Sequence, residues 1–202
     1  MTMFQAIRQF WQELKEQIEM AQHSAISAAK NPAVAAFREE VLAAFPYREE
    51  AKEWLRTTVG FEVENLESTR GGGFWYPHQQ KVFLYTAQYE AAIHELAHAW
   101  WHYRRIGQEE AMIETTIRLS QETDPRYQRL TQLAYEYIHG IPERGWAGML
   151  VERNDWEMYA GLASGMMADM RLAPPYVRTF YEGMYVLLPD EAPSPAVIAP
   201  HN

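Results

Sequence analysis

Apolar positions repeat at spacings of three and four along most of this chain, the pattern of helices that bury one face. Phe4, Ile7, Trp11, Leu14, Ile18, Ala21, Ala25 and Ala28 form such a seam over residues 3–29, with Arg8, Gln12, Glu13, Lys15 and Glu16 off it. The seam predicts one long helix, packed on the rest of the fold or on a second copy as a homodimer. Its polar face is not basic, as a membrane-surface helix would be. Asn31-Pro32 starts a second helix, with Pro at the first helical position, and Phe45-Pro46 ends it. A third runs to about Thr58 and stops at Gly60.

The period then shortens to two. Residues 61–64 alternate as a strand, 70–73 (Arg-Gly-Gly-Gly) read as a flexible turn, and 74–76 and 81–85 read as two further strands. Thr86 is placed to cap a helix over 87–105, with Glu90 in its first turn and Gly107 beyond its end. More helices follow over 109–119, from Asp124-Pro125 to Gly140, over 154–170 and over 176–182, with a turn-rich loop at 141–148. Four prolines mark 189–202 as a loose tail. The expected fold is α+β and mostly helical, with a small antiparallel sheet just before the 87–105 helix. It forms one domain over 1–188: a helical section, 1–59, runs without a linker into 60–188.

Composition narrows the chemistry. The chain has 202 residues, 48% hydrophobic and 13% aromatic, enough for a sizeable core. A net charge of −9 with scattered Lys and Arg argues against nucleic acid as a partner. With no cysteine, any metal must be held by His, Asp or Glu. No stretch approaches the roughly twenty apolar residues of a membrane span, and the first residues do not read as a signal peptide, so the cytoplasm is the expected compartment.

One helix carries chemistry. His94-Glu95-Leu96-Ala97-His98 sets two imidazoles four residues apart, one turn above the other on one face, where both can reach one metal ion. Glu95 adjoins the first and can take a proton from water that the metal acidifies, then pass it to a leaving amine. The flanks are uncharged: Ala91, Ala92, Ile93, Leu96, Ala97, Ala99 and Trp100. The competing reading is a core helix with two incidental histidines. His102 continues the spacing, but one straight helix cannot wrap three ligands around an ion, so His102 reads as solvated or hydrogen-bonded.

The segment AAIHELAHAW resembles the active-site helix of the zincin metallopeptidases over about ten residues. The resemblance implies one zinc ion held by His94 and His98, Glu95 as general base, and a peptide or protein substrate lying extended along an upstream strand, 74–76 or 81–85. Arg104 stands where a metzincin would have its third His, which excludes that branch. The gluzincin branch takes its third ligand from a later helix, and Asn154-Asp155-Trp156-Glu157-Met158-Tyr159-Ala160 resembles that segment, with Glu157 as the ligand. Asn154 and Glu157 also fit a helix-capping pair, and Asp155, Glu152, Glu136 and Asp169 are rival ligands. Gly161 occupies the place of the Asp that orients a ligand His in thermolysin-like members, so that support must come from elsewhere, Asp155 being the candidate. Tyr159, Tyr176, Arg178 and Tyr181 are candidates by location for stabilising the transition state. The implied function is a zinc peptidase. The alternatives are a zincin-shaped binder of a peptide or protein, without turnover, and a non-peptide amidohydrolase.

Overall fold

The computed structural model describes residues 31–66, 71–137 and 153–186, the side chains of 135–137 and 168 excepted. The expected helix over 3–29, the loop at 141–148, the stop at Gly140 and the tail lie outside the described residues. Helix α1 (Pro32–Ala44) begins as expected: the Asn31 side chain accepts from the Ala33 N–H and Pro32 opens the first turn. Helix α2 (Glu49–Thr58) follows, then strands β1 (Gly60–Val63), β2 (Gly73–Tyr76) and β3 (Lys81–Leu84). Helix α3 (Tyr89–Arg104), α4 (Glu109–Ser120), α5 (Pro125–Tyr137), α6 (Asp155–Ala168) and α7 (Pro175–Gly183) complete the described elements. The class is α+β.

The sheet is mixed, not wholly antiparallel as expected. β3 is central: it pairs antiparallel with β2 (Phe74 opposite Phe83, Trp75 opposite Val82) and parallel with β1 (Phe61 opposite Val82). β2 and β3 form a hairpin closed by the 3-10 turn Pro77–Gln79 and a left-handed Gln80. The chain from β1 to β2 is long enough to skip one strand position, so β3 enters between them, which a two-residue turn would have forbidden. Alternation sends Trp75, Val82 and Leu84 inward and leaves Phe74, Tyr76 and Phe83 on the outer face.

The expectation of a flexible Gly turn is corrected at Gly73. It is the first residue of β2, and a Cβ there would lie 2.5 Å from the Phe83 carbonyl oxygen and 3.2 Å from Glu95 Cγ. The missing side chain lets β2 approach α3. Gly72, at φ +95°, supplies the one backbone conformation here that favours glycine. Thr86 is not the cap of α3; that position is Gln88, and the helix starts two residues later than expected.

Ala91 to Trp101 are all buried, so α3 is enclosed on every side. Four alanines there let neighbours approach, and α6 packs against α3 most extensively. Ser164 turns its hydroxyl to the Glu90 carbonyl of α3, at 3.5 Å. Gly165 lets α6 approach Leu130 and Ala134 of α5. One hydrophobic core runs through α1 to α7 and the sheet's inner face. Among the described residues, no helix is long and apolar enough to cross a membrane.

Candidate metal centre

Two helices and one strand build the site. α3 presents His94 and His98 on one face, one turn apart, with ring centroids 4.6 Å apart and planes at 87°. α6 crosses α3 and brings Glu157 to both: His94 Nε2 lies 3.2 Å from Glu157 Oε2, and His98 Nε2 lies 3.5 Å from Oε1. The atoms with which the three residues could ligate a metal ion all fall within 4.8 Å of one another. Among the described residues this is the one group of three or more His, Asp or Glu side chains so arranged.

The start of α6 separates the two roles open to Glu157. Asn154 caps the helix, its Oδ1 accepting from the Glu157 backbone N–H at 3.2 Å. The Glu157 side chain does not reach back to complete a capping box; it turns to the histidines. Backbone and side chain of one residue thus serve two purposes.

Two of the rival candidates, Asp155 and Asp169, lie elsewhere. Asp155 accepts from the indole N–H of the fully buried Trp101 at 2.7 Å and ties α6 to α3 one turn past the histidines. It does not orient either His, contrary to expectation. Asp169 caps the short Met170–Leu172 helix and pairs with Arg171. Glu152 and the Glu136 side chain are outside the description. His102 lies away from the cluster, its ring near Trp75 and Trp156. Tyr159 is also corrected: it is buried in the core, stacked between Trp101 and Tyr181 at 4.8 and 4.9 Å, and does not line the cleft. Its hydroxyl faces that of Tyr47 without reaching hydrogen-bond geometry. Tyr181 donates to the Tyr159 carbonyl, and Tyr176 contacts Glu122 and Arg118; neither these residues nor Arg178 line the cleft.

Burial sets the electrostatics. It raises the Glu95 carboxyl to about 7, with the Glu157 charge also raising it, against the opposing pull of His94 and of the Trp75 backbone N–H, which donates to Glu95. Burial first, then His94, push His98 down to about 4, so its ring is neutral at pH 7. For Glu157 burial opposes ionisation, but the hydrogen bonds and charges of His94 and His98 outweigh it and hold the carboxyl well below the usual range.

The donors fit a zinc ion. They are two imidazole nitrogens and one carboxylate, the set of a catalytic rather than a thiolate-rich structural zinc, and three protein ligands leave a further position for water or substrate. The Nδ1 atoms of both histidines are buried and have no hydrogen-bond partner among the described residues, which leaves Glu157 as the polar group that faces both rings. The cluster forms the floor of a cavity of about 500 Å³, bounded by Gly71–Gly73 and Trp75 on one bank and Trp156 on the other. Trp156 stacks on His98 at 5.2 Å and 25°. Trp156 and Glu90 were not singled out as site residues from the sequence. Helical spacing carries a signal for both, since Glu90 is one turn before His94 and Trp156 adjoins Glu157 in a first turn.

Fold and site together define an α+β chain with a His-His-Glu donor cluster beneath an edge strand. Comparison with models of known protein families, with curated proteins and with solved structures finds no match in any of the three.

Proposed function

We propose that the protein is a zinc-dependent hydrolase of the zincin type, a peptidase in the gluzincin manner. The observation that carries this reading is the convergence of His94, His98 and Glu157 from two separate helices, with Glu95 beside them at the cleft floor. Zinc at such a site supplies Lewis acidity toward a carbonyl oxygen and acidifies water near neutral pH. His94, His98 and Glu157 would hold the ion. Glu95 stands outside the donor set at the cleft floor, where its carboxylate would accept a proton from the attacking water and give it to the leaving nitrogen. Trp75 keeps the carboxylate in place through its backbone N–H.

Among the described residues β2 is an edge strand, so backbone groups on its outer side have no strand partner there. It borders the cleft, which supports an extended peptide or protein segment as the substrate. The test pairs metal analysis with hydrolysis. Purified protein should hold one zinc per chain and cleave members of a mixed peptide library. Glu95→Gln should keep the zinc and lose on the order of 10²–10⁴-fold in rate. Zinc uptake without hydrolysis by the parent would favour a peptide-binding protein, and hydrolysis of small amides alone would favour an amidohydrolase. Equal rates for parent and variant would remove Glu95 as the base.

A further inference from the structure

The charge of the cleft is one-sided. Among the described residues its lining includes three carboxylates, Glu90, Glu95 and Glu157, and no lysine or arginine. Glu95 and Glu157 have partners, Trp75 and the two histidines. Glu90 has none at its carboxylate among the described residues; its recorded hydrogen bond is to the backbone carbonyl. It is half-buried, and Gly71–Gly73 on the bank near it carry no side chain that could donate to it. A second feature of the same cleft points to a ligand. Trp75 lines it and is only 8% exposed, and its indole Nε1 has no hydrogen-bond partner among the described residues.

Position tells which part of a substrate Glu90 meets. It lies four residues before His94 and eight before His98 on α3, so the three share one face. At about 1.5 Å of rise per residue, Glu90 is ~6 Å along the axis from His94. An extended peptide advances about 3.3 Å per residue, so a long side chain adjacent to the reacting carbonyl spans that offset. The rings of Phe74 and Tyr85, 5.8 Å apart, line the same cleft and offer π-faces to a cation.

Resting on the peptidase reading, we infer that Glu90 sets specificity and selects peptides with a cationic group on a residue flanking the scissile bond, a Lys or Arg side chain or a free α-amine. A carboxylate half out of water and without a partner among the described residues gains most from a ligand that brings the opposite charge.

The test reads binding directly. Fluorescent N-acetylated hexapeptides with one lysine, their norleucine counterparts and the same pairs with a free α-amine are titrated against the full chain. Anisotropy is followed with zinc added and with zinc removed by a chelator. The parent should bind a cationic peptide at least about tenfold tighter than its neutral counterpart. Glu90→Gln, isosteric and half-exposed, should bring that ratio to within about twofold, and Glu90→Lys should reverse it toward a glutamate-bearing peptide. A preference confined to free-amine peptides would identify the cation as the α-amine and still assign it to Glu90. Equal affinities in the parent, no binding of either peptide, or a preference that survives Glu90→Gln would overturn the inference. Charge-dependent binding without cleavage would sink the hydrolase reading and leave Glu90's role standing. Cleavage without a charge preference would do the reverse.

Discussion

Replacing Glu157 with alanine separates the metal site from the helix start. The Asn154 cap uses the Glu157 backbone N–H, so it survives the substitution. What is lost is the carboxylate facing His94 and His98 at 3.2 and 3.5 Å. Protein zinc sites of the structural kind bind with roughly 10–16 kcal/mol. One of three protein donors carries about a third of that, ~3–5 kcal/mol, or on the order of 10²–10⁴-fold in dissociation constant. Competition against a chromogenic chelator measures it. Melting with and without zinc gives an independent reading: a thousandfold excess over Kd stabilises the parent by about 4 kcal/mol, and that gain should fall to about 1.4 kcal/mol or less in Glu157→Ala at the same zinc concentration. Asn154→Ala is the control, expected to cost ~0.5–2 kcal/mol of stability with zinc affinity near the parent's. A zinc affinity in Glu157→Ala within about threefold of the parent's would refute the ligand assignment.

Three other outcomes follow from the packing. In the metal-free chain two shifts oppose each other. With His98 lowered from 6.5 to about 4, stability falls as pH drops through that window; with Glu95 raised from 4.5 to about 7, it falls as pH rises through its own. The parent should therefore vary little between pH 4.5 and 6.5. Glu95→Gln should lose ~2–3 kcal/mol on acidification over that range in chelator-treated denaturation, and a flat profile for the variant would contradict the argument. Gly73→Ala would put a Cβ 2.5 Å from Phe83 O and 2.6 Å from Leu84 Cδ2. It should cost ~1–3 kcal/mol in a denaturant melt, and a cost below about 0.5 kcal/mol would show that β2 has room to move. Asp155→Ala strands the buried Trp101 N–H and should cost ~1–3 kcal/mol, while Asp155→Asn, which keeps an acceptor, should recover most of it; equal losses would mean that the 2.7 Å bond contributes little.

Local information determined much of this protein. Pro32 after Asn31, the change from helical to alternating period near Gly60 and the apolar run around His94 are properties of adjacent residues. They placed the described helices and strands to within a few positions and marked α3 as buried. The shared face of His94 and His98 follows from helical geometry alone, because residues four apart lie one above the other. The approach of Glu157 was open from sequence, with four rival carboxylates and a capping role in competition. It was decided by the crossing of α3 and α6, which gives Asp155 to Trp101 and leaves the Glu157 carboxylate facing the histidines. Tyr159 shows the limit of location: two residues from Glu157 on a helix means a different face, and here that face is core. Strand order was equally out of reach, since β1 and β3 are joined by hydrogen bonds across a connection whose path no local pattern specifies. The same holds for Gly73, whose lack of a side chain reads as freedom in the sequence but serves the close approach of β2 to Glu95, a constraint set by two segments far apart in the chain.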